Sequence, residues 1–245
     1  MTRLSAVFRL GIGRAAGLLY LLIAVFGGVA IGLLPGVFHI SGDAEATYQA
    51  IRSRPVLFRL GIGFEIVVLL AEVVLSALLY RIFRDTSPSV ALAAAFARLS
   101  EAVVMAVMLF FSVAILRLTG AGGADPVGNP AVWVLFLGDL RASGVHIWEL
   151  FFALHLMLLG WLALRSGFVP RPLGWMMGIG ALGYLSDAVS GLILPGGAAV
   201  SPVEVALLTL VTLGELSFTV WLLWRGGDER LVARAPEPAG LARMA

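Results

Sequence analysis

Residues 57–80 read LFRLGIGFEIVVLLAEVVLSALLY, and this run decides the fold. A helix through it is about 36 Å long at 1.5 Å per residue, enough to cross a hydrocarbon layer of about 30 Å. Its apolar residues surround the helix instead of forming a single stripe, as expected where lipid covers the outer face. The same run carries Glu65 and Glu72, seven residues apart and so on one face, with Ser76 one turn further on. Acids on such a helix must turn away from lipid, so the helix belongs to a bundle with a polar interior.

Five more runs satisfy the same length and apolarity, at residues 15–38, 90–116, 145–164, 172–194 and 202–224. The expected fold is therefore all-α: a bundle of six transmembrane helices in a single transmembrane domain over residues 1–226. A short disordered tail is expected at 227–245. The separators are polar or helix-breaking. They include the His39 to Pro55 stretch with its polar run Ser41-Gly42-Asp43-Ala44-Glu45, Arg81 to Pro88, the Gly-rich 119–130, Pro170-Arg171-Pro172 and Pro195-Gly196-Gly197. Residues 131–137 are apolar but too short to span, and Gly138-Asp139-Leu140-Arg141 follows them. Residues 130–142 are accordingly expected to form an interfacial helix ahead of the fourth span. The first run is longer than the apolar core of a signal peptide and is read as a retained helix.

Composition agrees. The chain has 245 residues, 60% hydrophobic and 13% charged, with a mean hydropathy of +0.99. Soluble domains are nearer half apolar and about a quarter charged. Cysteine is absent, which excludes disulfides, iron–sulfur clusters and thiolate zinc sites. All 17 basic residues are arginine, and they lie between apolar runs with no basic patch interleaved with aromatics, so no nucleic-acid partner is expected. With the N-terminus inside, eleven arginines fall on the cytoplasmic side and five outside, while Arg98 lies within a span. The positive-inside rule then places both termini in the cytoplasm. Gly13/Gly17, Gly28/Gly32 and Gly174/Gly178 have the small-xxx-small spacing of close helix packing.

The ionisable residues inside the spans mark where function would lie. They are Glu65 and Glu72 on the second helix, Arg98 and Glu101 on the third, Glu149 and His155 on the fourth, Asp187 beside Tyr184 on the fifth, and Glu215 on the sixth. A charge at the bilayer centre costs about 2.5–3.5 kcal/mol. Six acids facing lipid would cost on the order of 15–20 kcal/mol, beyond a typical total stability of about 5–15 kcal/mol. They must face inward and be paired, protonated or bound to a cation. Arg98 balances one of them. By depth, Glu65, Glu149 and Asp187 fall in the outer half, with Glu72, Glu101, His155 and Glu215 near the middle. Arg98 lies closest to the cytoplasm. A cavity open outside and closed below suits that order.

Several strings resemble one membrane-protein family. They are Arg14-Ala15-Ala16-Gly17-Leu18-Leu19-Tyr20-Leu21, Leu57-Phe58-Arg59-Leu60-Gly61, and Ser166-Gly167-Phe168-Val169-Pro170-Arg171-Pro172-Leu173-Gly174. Gly183-Tyr184-Leu185-Ser186-Asp187 and Gly214-Glu215-Leu216-Ser217-Phe218 running into Trp221 complete the set. The chain is similar in this order, from about Arg14 to Gly226, to the bacterial integral membrane family catalogued as domain of unknown function 4386. The resemblance implies a multi-pass protein of a bacterial cytoplasmic (inner) membrane with no assigned activity. It lends weight to Arg171, Tyr184, Asp187 and Glu215.

Three functions are compatible with these residues. The first is small-solute or proton/cation transport through the acidic centre. The second is an enzyme embedded in the membrane that acts on a lipid-like substrate. The third is a non-catalytic sensor or assembly partner. The acids have an equally weighted structural reading, as hydrogen-bonding links between helices. The expected partners are the lipid bilayer and a small ligand or ion. No cofactor is expected, and no metal: His-Glu-x-x-His and His-x-x-x-His spacings are missing, and His146 and His155 face opposite ways. The balance leans away from an enzyme. These readings separate on whether Glu65, Glu101, His155, Asp187 and Glu215 line one continuous cavity.

Overall fold

The computed structural model describes residues 11–120, 128–194 and 201–226, and the tail expected at 227–245 lies outside them. The helices are α1 (Ile12–Gly27), α2 (Leu34–Phe38), α3 (Ala44–Ser53), α4 (Pro55–Phe83), α5 (Pro88–Thr119), α6 (Pro130–Ser166), α7 (Arg171–Ile193) and α8 (Pro202–Arg225). A π-helical segment, Gly28–Leu33, joins α1 to α2 so that the two form one span, Ile12–Phe38. With α4 to α8 this makes, among the described residues, six helices long and apolar enough to cross a membrane.

The prolines that separate the runs also start the helices. Pro55, Pro88, Pro130, Pro172 and Pro202 each occupy a first or second helical position, where the missing N–H is no loss and φ is already set. Asn129 caps α6 by accepting from the Ala131 N–H at 2.9 Å. Ser201 and Glu204 form a reciprocal capping box on α8. Gly167, at φ 72°, ends α6 in the left-handed conformation that glycine tolerates best.

Each span packs on the next, α1 on α4, then α5, α6, α7 and α8, and α8 returns to α1 to close the ring. Glycines set two of the close seams. A Cβ on Gly160 would lie 2.7 Å from the Gly174 carbonyl oxygen and 2.8 Å from the Gly178 nitrogen, so α6 and α7 touch backbone to backbone. A Cβ on Gly13 would stand 2.5 Å from the Gly226 Cα, and Gly17 abuts Leu222 and Leu223, which fastens the first helix to the last. The Gly28/Gly32 pair does not pack: both positions face open space, on the π segment. The outward faces carry large apolar side chains such as Leu70, Phe110 and Ile193, the reverse of a soluble surface.

Two expectations change. Residues 130–142 are not a separate interfacial helix but the first turns of α6, which runs 37 residues, about 55 Å at 1.5 Å per residue. Gly138 and Asp139 do not break it because tertiary packing holds it. Ala131 is buried, and Val134 is buried against Phe38, Ile51 and Ile115. Gly138 makes room for the His39 ring, which would meet a Cβ there at 2.8 Å. The short non-spanning helix is instead α3, within the stretch read as a polar break. Asp43 caps it through the Ala46 N–H at 2.9 Å, and it buries Thr47 and Ile51 while packing on α6.

Candidate functional site

The polar residues of the spans form two centres at different depths. The deeper one is built around Arg98 on α5. Its Nε stands 2.6 Å from Glu72 Oε2 and 3.8 Å from Glu101 Oε1. One terminal nitrogen lies 3.1 Å from His155 Nε2, and the guanidinium sits over the Tyr20 ring at 4.9 Å. Helices α1, α4, α5 and α6 thus meet on one cation. Alanines 91, 94, 97 and 102, all buried, let α5 approach closely enough for this.

His155 Nδ1 is 2.8 Å from the Ala94 carbonyl oxygen. A carbonyl only accepts, so the hydrogen is on Nδ1, and Nε2 is free to accept from Arg98. The imidazole is neutral and links two chain segments 61 residues apart. Arg98 is 1% exposed and Glu101 0%. Both Glu101 oxygens are buried without a hydrogen-bond partner, so Glu101 is held by Arg98 through charge alone. One guanidinium balances the charge of only one of the two carboxyl groups.

The second centre lies toward the end that carries α3. Arg141 of α6 pairs with Glu65 of α4, and its Nε donates to the Ser112 Oγ of α5 at 3.1 Å. One and a half to two turns along α6, His146 Nδ1 lies 3.1 Å from Glu149 Oε2. Asp187 of α7 completes this group, with ligand-type atoms of all three side chains within 4.8 Å of one another. Glu149 is buried, and His146 and Asp187 are half-buried.

These residues border a cavity of about 310 Å³. Its polar lining includes Glu65, Ser112, Arg141, His146, Glu149 and Asp187, with His39 and Thr47 toward α3. The rest is mostly apolar, from α2, α3, α4, α5 and the start of α6, including Leu34, Phe38, Phe58 and Val134. Thr47 spends its hydroxyl on the Ile40 backbone, at 3.0 and 3.1 Å, so α3 closes this part with little free polarity. His39 pairs with Asp139 at 3.1 Å where α2 meets α6.

Of the residues singled out from sequence, Glu65, Glu149 and Asp187 line the cavity. Glu72, Arg98, Glu101 and His155 form the deeper centre. Tyr184 packs edge-on against Phe152 at 5.0 Å and Trp148 at 6.3 Å. Glu215 is half-buried on α8, and its carbonyl accepts from the Thr219 hydroxyl. Neither lines the cavity. Arginine placement in the sequence puts Arg141 among the five outer arginines and leaves Arg98 as the arginine within the spans. The structure supplies a second, and Glu65 is neutralised by it. The signal was present in the spacing: with α6 continuous, Arg141, Val145 and Glu149 fall on one stripe at i, i+4 and i+8. His146 joins Glu149 at i+3.

Six apolar helices closed into a ring, with a polar core and a cavity at one end, define a multi-pass helical membrane protein. The chain belongs to the family described as domain of unknown function 4386, whose pattern matches residues 15–226. It is 35% identical over 100 residues to a protein of Archaeoglobus fulgidus described as uncharacterized, a match that spans 40% of this chain and 57% of that relative. No solved structure matches.

Proposed function

We propose that this protein binds a small amphiphilic molecule inside the bundle, at the end that carries α3. The observation that carries this reading is the cavity itself. It joins an apolar wall to a compact polar corner in one space of about 310 Å³, within the range of about 300–1,000 Å³ typical of small-molecule sites. The apolar part of the ligand lies against Leu34, Phe38 and Phe58, and its polar group reaches Arg141, His146, Glu149 and Asp187.

Proton or cation passage has less support, because it needs the two polar centres to join. Glu101, His155 and Glu215 stand outside the cavity lining, and Glu101 and His155 are enclosed by packed side chains. The deeper centre serves as a structural link between helices. Chemistry on the bound molecule is a further step that binding alone does not require.

Native mass spectrometry of protein released from nanodiscs, followed by extraction and identification of retained small molecules, tests the reading. Wild type is expected to carry one amphiphile per chain. Ile62→Trp, which fills the cavity, is expected to lose it, while Leu70→Trp on the lipid-facing side keeps it. Equal retention by all three would rule the cavity out as the binding site.

A further inference from the structure

We propose that His146, Glu149 and Asp187 together bind one divalent transition-metal ion of the zinc class at the polar corner of the cavity. Their chemistry is that of a ligand set, one imidazole nitrogen and two carboxylate oxygens, which suits zinc and its first-row neighbours. Their spacing fits as well. Two ligands at about 2.1 Å on a tetrahedral zinc are about 3.4 Å apart, and His146 Nδ1 lies 3.1 Å from Glu149 Oε2. One ligand atom from each of His146, Glu149 and Asp187 lies within 4.8 Å of the other two, so a small side-chain rotation brings the set together.

Two further observations point the same way. The first is charge. Glu149 and Asp187 lie together within spanning helices, and Arg141, the guanidinium that shares their cavity, is engaged by Glu65 and Ser112. A divalent cation balances both carboxylates at once. The second is the placing of the imidazole. The ring lies directly on Gly191 of α7, where any Cβ would collide with its Nε2 edge. This turns Nδ1 toward Glu149 and Asp187, so the bare backbone at Gly191 acts as the orienting surface for a ligand histidine. His146 and Glu149 at i and i+3 share one face of α6, and Asp187 closes the set from α7.

Three protein ligands leave at least one coordination position free, and the cavity is where it opens. The polar group of the amphiphile would take that position, and this part rests on the reading of the cavity given above. The metal site itself does not.

The test uses full-length protein with any affinity tag removed, stripped by a chelator and then titrated with zinc and separately with cobalt(II). Wild type is expected to bind one zinc per chain by calorimetry and elemental analysis, and to show the visible d–d bands of low-coordinate cobalt. His146→Ala and Asp187→Asn are expected to lose stoichiometric binding. Gly191→Ala, which keeps all three ligands but displaces the ring, is expected to weaken it by about 10–100-fold, as loss of an orienting neighbour does. Asp85→Asn, at an exposed carboxylate on the turn between α4 and α5, is expected to bind as wild type does. Absence of zinc and cobalt binding in folded wild type overturns the proposal, and so does unchanged binding in folded His146→Ala. Loss of metal binding with amphiphile retained would remove the metal site alone. Metal bound at one equivalent without a retained amphiphile would support the site and remove the reading of the cavity.

Discussion

His155 accepts a hydrogen bond from Arg98 at 3.1 Å through Nε2 and donates one to the Ala94 carbonyl at 2.8 Å through Nδ1. A single neutral imidazole therefore both orients the buried guanidinium and ties α6 to α5. Substitution by leucine removes both bonds and takes one of its partners from the buried guanidinium. His155→Leu is expected to lower stability by about 1–3 kcal/mol. Thermal unfolding in a mild detergent, followed by light scattering or tryptophan fluorescence, measures it. A transition temperature equal to wild type would contradict the linking role.

The ion pair beside it makes a stronger and asymmetric prediction. Removing Arg98 leaves Glu72 and Glu101 buried with no cation, so Arg98→Met is expected to destabilise by about 3–5 kcal/mol. Replacing both sides with apolar residues of similar size, as in Glu72→Leu with Arg98→Met, is expected to recover part of that loss. A double-mutant cycle on the unfolding midpoints checks it. Strict additivity would show that the two side chains do not act as a pair.

The α6–α7 seam is set by glycine. Gly160→Leu would drive a side chain into the Gly174 and Gly178 backbones and is expected to cost at least about 1–3 kcal/mol, seen as reduced monodisperse yield on size exclusion. Gly32→Leu, at a position facing open space, is expected to behave as wild type. This pair of variants separates packing glycines from those whose spacing only resembles them.

Orientation is testable because the chain contains no cysteine. Arginine placement puts the Arg84–Asp85 turn in the cytoplasm and the start of α3 outside. In intact cells, Ser41→Cys is expected to react with a membrane-impermeant maleimide, and Asp85→Cys to react only after permeabilisation. Both positions are exposed. The opposite pattern would invert the topology.

Much of this architecture is present in residues 57–80 and the five runs like them. Hydrocarbon thickness dictates the length of a spanning helix, and an apolar run of that length has no comparable alternative, so six spans follow from local chemistry. The inward direction of Glu65, Glu72, Glu101 and Glu149 follows for the same reason, since lipid offers a charge no partner. Sequence could not assign partners among them. Arg141 was read as an outer-loop charge because Gly138 and Asp139 look like a helix end. Only the packing of Val134 and the fit of His39 over Gly138 keep α6 continuous and carry Arg141 to Glu65. The separation of one acidic set into a sealed Arg98 centre and an open corner at His146, Glu149 and Asp187 is likewise a tertiary result. Helical periodicity tells which residues share a face of one helix, whereas which faces meet across a bundle depends on contacts between residues tens of positions apart.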